Sequence, residues 1–248
     1  MDCPRRLVPK DGTRIRVMSI ENAATALLIL LPIAFNAFFL LLARLFGYPA
    51  ILRSPTASIL SRYQAGGVPL KLVWYGFMLT AILLAPLAVL LGQVFARDGL
   101  AIVPTATVVG VLAAVAQFLG LARWPFLVPA LARTYHDPAS SDATRDASVV
   151  VFESFHRYLG VAVGECLGYF FTGAWTVLVG IAMLQSSAFE AWFALPGIAI
   201  GVLLVAASFE FVGRFEEKGW KLAGSIVPIA YIAWSVWLIG AGLVLLFS

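Results

Sequence analysis

The chain has 248 residues, of which 61% are hydrophobic and only 12% are Asp, Glu, Lys or Arg, where a soluble domain carries roughly 25% charge. With a mean hydropathy of +0.94, a soluble fold of this length could not hide its apolar surface, so the lipid bilayer acts as its solvent. The net charge of +4 does not point to nucleic acid, because the basic residues stand at the ends of apolar segments as interfacial anchors and no basic patch is interleaved with exposed aromatics. The expectation is an all-α fold, a polytopic membrane helical bundle of six transmembrane helices plus a short interfacial helix, forming a single domain over residues 23–248 behind a polar tail, 1–22.

In chain order, the tail carries Arg5, Arg6, Lys10, Arg14 and Arg16. A basic tail before an apolar run imitates a signal peptide, but the run is too long for an h-region and no small-residue cleavage site follows. Residues 23–46 therefore read as the first span. A chain beginning at Met18 would be self-sufficient, and the tail reads as an over-extended start. The second span is predicted over 72–95 and the third from 101 to 122, with a broken continuation to 131. The fourth lies within 150–184, the fifth over 192–212 and the sixth over 224–247. Pro32, Pro86, Pro104, Pro196 and Pro228 fall in or near these spans, as membrane helices allow when neighbours satisfy the freed carbonyls.

The connections alternate. Residues 96–100 and 185–191 are short, whereas 47–71, 133–149 and 213–223 are longer and hold most of the charge, so six spans place the three long loops on one side and both termini on the other. In the first long loop, Ser54 reads as an N-cap with Pro55 at the first helical position, and Gly66-Gly67 ends that helix. Its Ile59, Leu60 and Tyr63 form an apolar stripe suited to a membrane surface. Ser141 or Asp142 is placed to cap a helix of about 40 residues running into span four, which at about 60 Å must project, tilt or break. Lys and Arg near the spans favour the long-loop side as cytoplasmic. That side holds Arg44, Arg53, Arg62, Lys71, Arg133, Arg145, Arg157, Arg214, Lys218 and Lys221, against the five basic tail residues and Arg97 on the other.

Ionisable side chains in hydrocarbon cost at least about 2.5–3.5 kcal/mol on insertion scales and usually face a bundle interior or a wet cavity. Glu165 is the sharpest example. At 100° per residue, Tyr158, Glu165, Tyr169 and Thr172 share one polar stripe of span four. Gly160, Gly164 and Gly168 form a small-xxx-small stripe beside it, which lets another helix approach closely. Span four is thus expected at the centre of the bundle, with Glu165 either in a ligand or ion site or held structurally by Gln117 or Arg123. Asn36 and Gln93 are neutral companions at membrane depth. Arg123 has two readings. If span three stops at residue 122, Arg123 and Trp124 are interface anchors, the favoured reading; if it continues to 131, Arg123 reaches inward toward Glu165. His156 follows Glu153 with the Glu-x-x-His spacing of di-iron bundles, but the second motif and further carboxylates are missing, so no metal is assigned. Glu153 with Arg157, and Glu210 with Arg214, are spaced for i,i+4 salt bridges. Cys3 and Cys166 are too differently placed to pair as a disulfide. Because most of these polar groups fall in the half of the bundle near the long loops, a polar vestibule is expected on that side.

No P-loop, dinucleotide fingerprint, zinc or iron–sulfur cluster, or ordered Ser-His-Asp set can be read, so no cofactor is assigned and an enzyme is the least favoured class. The stretch Arg123-Trp-Pro-Phe-Leu-Val-Pro-Ala-Leu-Ala-Arg-Thr-Tyr135, with Val151-Phe-Glu-Ser-Phe-His-Arg-Tyr-Leu-Gly-Val-Ala-Val-Gly-Glu165, resembles uncharacterised bacterial multi-pass membrane proteins grouped as a domain of unknown function. The resemblance covers most of the chain from about Met18 and implies a bacterial cell membrane, with no activity to transfer. Two function classes stand. One is a membrane protein that binds or passes a small molecule or ion in a pocket formed by Glu165, Tyr158, Tyr169, Arg123, His156 and Gln117. The other is a non-catalytic assembly subunit, with the lipid bilayer around it and a membrane-protein partner on the Gly160/Gly164/Gly168 face.

Overall fold

A computed structural model describes residues 19–247, all of whose regular structure is helical. The tail expectations, including Cys3, lie outside the described residues. Helix α1, Ile20–Phe46, starts three residues earlier than the apolar run suggests. The Ser19 side chain accepts the Asn22 amide at its N-terminus, and Gly47 closes it in the left-handed conformation. Both are the end signals a helix requires. Helix α2, Thr56–Ile82, is broken at Gly67, whose φ of 58° and ψ of −149° no helix contains. Helix α3, Leu84–Phe95, continues the same rod. The stripe Ile59, Leu60 and Tyr63 is 2% exposed or less. It covers the end of the bundle, and the Tyr63 hydroxyl donates to the Trp124 carbonyl at 2.5 Å.

Helices α4, Val103–Phe126, and α5, Val128–His136, form one rod bent at the prolines. This settles the alternative on span three. Arg123 and Trp124 are 6% and 0% exposed, so neither is an interface anchor: the rod carries on past them, and α2, α5 and the following helices cover them. Helix α6, Asp142–Phe155, is capped by Ser141, whose hydroxyl accepts the Thr144 amide. A π-helical segment, His156–Leu167, then leads into α7, Gly168–Gln185. Helix α8, Ala191–Ala207, ends before the expected limit because residues 208–212 form a turn, and α9, Lys221–Phe247, begins three residues early.

Five of these rods are long and apolar enough to cross a membrane: Ile20–Phe46, Thr56–Asp98, Val103–His136, Asp142–Gln185 and Lys221–Phe247. The sixth, α8, is apolar but has only 17 residues, the short end of the range for a span. The chain is therefore an all-α membrane helical bundle. Arg97 pairs with Glu21, and Phe95 packs on Phe189, which gathers the short connections and the start of α1 at one end. Thr56 donates to Glu153 at 2.8 Å, Arg53 lies 3.9 Å from Glu210, and Arg157 pairs with Glu216, which gathers the long connections at the other.

Two apolar cores fill the bundle. One, toward the short-loop end, holds Leu28, Leu87, Trp175, Trp234 and Leu238. The other, toward the long-loop end, is an aromatic nest in which Trp74 stacks on Trp124 at 4.4 Å and 7°, with Phe46, Tyr63 and Phe152 edge-on or stacked around them. Phe35 packs against both.

Candidate functional site

The seam between the two cores is not filled. A cavity of about 400 Å³ lies there, walled by Phe35, Asn36, Phe39 and Leu40 of α1, Tyr48 and Pro49 of the following loop, and Phe77 of α2. Gln117, Gly120, Leu121, Arg123 and Trp124 of α4 form another wall, with Gly160, Gly164, Glu165 and Tyr169 of the α6–α7 rod and Val227, Pro228, Tyr231 and Ile232 of α9 completing it. Arg123 and Glu165 both fall just past the middle of their rods, of 34 and 44 residues. Leu40 and Ile232, which line the cavity, are also 57% and 60% exposed on the outer surface, as is Pro228 in part. The cavity therefore opens sideways between α1 and α9. Nearer the middle, the same two helices are joined by the Asn36 amide donating to Ser235 at 2.9 Å.

Glycine spacing brings the polar groups to this place. A Cβ on Gly120 would stand 2.5 Å from the Gly164 Cα, and one on Gly168 would stand 3.0 Å from the Gln117 side chain. A Cβ on Gly160 would stand 2.6 Å from the Arg123 guanidinium. The stripe Gly160/Gly164/Gly168 is thus occupied by α4 of the same chain. That is the close approach its spacing announces, met inside the chain rather than by a partner. The space at Gly160 admits the guanidinium. Arg123 Nη1 donates to the Gly120 carbonyl, Nη2 donates to His156 Nδ1 at 3.3 Å, and Cζ lies 5.2 Å from the Trp124 ring. Arginine only donates, so Nδ1 is the acceptor and His156 carries its proton on Nε2. Its ring stacks on Phe152 at 5.6 Å and 8°.

Of the residues singled out in the sequence, Glu165, Tyr169, Arg123 and Gln117 line this one cavity. Gln117 donates to Thr172 at 2.5 Å. Two others do not. Tyr158 is 67% exposed and lies outside the cavity. The 100° wheel that aligned it with Glu165 holds for an α-helix, whereas the residues between them have π-helical i→i+5 bonding and turn less per residue. His156 stands behind Arg123 and lines a second, wider basin of about 1190 Å³ at the long-loop end, with Arg53, Glu153, Arg157, Glu210, Glu216, Lys218 and Lys221. Cys166 lines it too. Among the described residues, no group of three His, Cys, Asp or Glu side chains is placed to hold a metal ion.

The π winding also undoes the expected Glu153–Arg157 pair: Glu153 accepts from Thr56 and Arg157 turns to Glu216. Glu210 pairs with Arg53, not Arg214, because it sits in a turn rather than a helix, and Arg214 lies over the Phe215 ring at 4.7 Å. Burial raises the Glu210 carboxyl above its ordinary range, against the pull of Arg53. Burial, reinforced by Glu165, likewise holds the Tyr48 phenol far above its usual range. Gln93 is exposed. Sequence reasoning missed the aromatic lining and the loop residue Tyr48. The Phe35–Phe39 spacing on α1 was the available signal, but i,i+4 aromatics more often mark plain core packing.

Residues 23–242 match the family model of a domain of unknown function, DUF4386, and the chain belongs to that family. No curated protein matches it, and neither does any solved structure.

Proposed function

We propose that this chain is a multi-pass protein of a bacterial inner membrane that binds a small molecule in its intramembrane cavity, with the long loops in the cytoplasm. The observation that carries this reading is the presence of Arg123 and Glu165, from different rods, in one cavity at mid-bundle whose remaining wall is mostly aromatic and apolar, with Asn36 and Gln117 as its neutral polar groups. Ionisable groups at such depth are costly and mark ligand or ion pathways. A volume of about 400 Å³ falls within the range of roughly 300–1,000 Å³ for ligand pockets, and an apolar wall with a few converging polar groups is their usual make-up.

The test uses 1-aminoanthracene, a fluorescent aromatic of suitable size, with the purified protein in a mild detergent. Saturable one-site enhancement is expected, and a Leu121→Trp variant, which fills the cavity from α4, should abolish it while the helical circular dichroism is kept. Enhancement that never saturates, or that ignores Leu121→Trp, overturns the reading. Sidedness is tested separately with a membrane-impermeant maleimide on intact spheroplasts. A cysteine introduced at Glu190 should react and one at Asp137 should not.

A further inference from the structure

The cavity holds an arginine and a glutamate, and among the described residues neither has a partner of opposite charge within 4.0 Å. Arg123 is 6% exposed. Its two hydrogen bonds go to neutral acceptors, the Gly120 carbonyl and His156 Nδ1, and its Nε is buried with no acceptor at all. Among the described residues, no carboxylate lies within 4.0 Å of it, and Glu165 makes no hydrogen bond or ion pair. Buried charges are normally paired and hydrogen-bonded, because an uncompensated one is expensive. An acid and a base that share a cavity without joining are each left open to a third party.

Resting on the reading of the cavity as a ligand site, we propose that the ligand is a single-chain zwitterionic amphiphile. Its anionic group lies on Arg123, whose guanidinium offers directed donors for a carboxylate or phosphate. Its cationic group lies on Glu165, among aromatic rings whose faces also favour a cation. Its tail leaves between α1 and α9, past Leu40 and Ile232, into the hydrocarbon. An anion alone leaves Glu165 without a partner and a cation alone leaves Arg123 without one, so a molecule bearing both charges suits the site better than either. The cavity, of about 400 Å³, is at the small end for ligand pockets, which suits a head group and the start of one chain rather than a whole two-chain lipid. The same head-group chemistry is offered by a lysolipid from the bilayer and by a free long-chain amino acid.

The experiment is photo-crosslinking of the full chain in nanodiscs with diazirine probes that share one decyl tail: 2-aminodecanoate, decanoate, decylammonium, decanol and a lysophosphatidylethanolamine. Labelled peptides are mapped by mass spectrometry. One or both zwitterions should label the segments around Leu40 and Ile232 at least about tenfold more efficiently than the singly charged probes, the factor expected of a charge-assisted hydrogen bond; which zwitterion wins identifies the source. Arg123→Gln should turn the preference toward decylammonium, and Glu165→Gln toward decanoate. The inference is overturned if decanoate or decylammonium matches the zwitterions on the unmodified chain, if decanol labels as well as they do, or if both variants keep the original ranking. The ranking on the unmodified chain decides alone should a variant fail to fold. Absence of specific labelling by every probe overturns the ligand site itself, not merely the nature of its ligand.

Discussion

The rod from Asp142 to Gln185 makes two glycine contacts that look alike and do different things. In its π-helical part, Gly164 meets Gly120 of α4; in its α-helical part, Gly173 meets Gly201 of α8, where an added Cβ would stand 2.5 Å from the Gly201 carbonyl oxygen. The first lines the cavity between the two cores, and the second does not. Around Gly173 the threonine hydroxyls are used: Thr172 donates to Gly168 at 2.7 Å, Thr176 to Thr172 at 2.7 Å, and the Trp234 indole donates to Thr176 at 3.0 Å. Around Gly164 an arginine and a glutamate stand without ionic partners. The difference teaches that close helix approach does not by itself close a core. The π segment redirects its side chains away from α-helical positions, and such segments gather at functional sites. Proteins break local consistency where function requires it.

The largest effects should come from adding a methyl group at each contact. Gly120→Ala places a Cβ 2.5 Å from the Gly164 backbone, and Gly173→Ala places one 2.5 Å from a backbone oxygen. Neither neighbour can rotate away, so each variant should lose about 1–3 kcal/mol or more, as overpacking does. Thermal melting in detergent measures that loss. The comparison predicts that Gly120→Ala also abolishes 1-aminoanthracene binding, whereas the fraction of Gly173→Ala that remains folded binds normally. Equal binding by both variants would erase the distinction between the two contacts.

A second prediction sharpens the α-helical side. Thr176→Val keeps the volume but strands the buried Trp234 indole N–H, which should cost about 1–3 kcal/mol with no change in probe affinity. Arg123→Met should do the reverse. An uncompensated buried charge is itself costly, and no carboxylate among the described residues lies within 4.0 Å of Arg123 to be stranded by its removal, so the melting temperature should hold or rise while binding of charged amphiphiles falls. A strong drop in melting temperature would show that Arg123 serves the fold more than the site.

How much of this was legible in the sequence follows from the same contrast. Hydropathy and the cap at Ser141 mark the rods, because hydrocarbon enforces long helices and caps act locally, whereas the end signals at Ser19 and Gly47 went unread and Pro55, not Ser54, stands at the start of α2 with no side-chain cap. The Gly160/Gly164/Gly168 spacing announced a close contact, and α4 supplies it. Glu165 and Arg123 stood out because charge at membrane depth is rare. What could not be read was angular position inside the π segment. A helical wheel assumes α winding, so it brought Tyr158 inward and paired Glu153 with Arg157. The aromatic walls were equally silent, since Phe and Trp at helical spacing look the same whether they fill a core or border a space.

The smallest effect concerns the clamp that the π winding creates. Arg157, turned away from Glu153, reaches Glu216 in the last long connection, and the two side chains are 61% and 54% exposed. Exposed pairs contribute only about 0.2–1 kcal/mol and weaken with salt, so Arg157→Ala should lower the melting temperature slightly, and less in concentrated salt. If the π winding arises from the packing of Gly160 and Gly164 on α4, removing this pair leaves the cavity intact and 1-aminoanthracene binds as before. A loss of binding would mean that the surface pair holds the segment in its π register, making the charged basin at the long-loop end, rather than the glycine contact, the origin of the cavity.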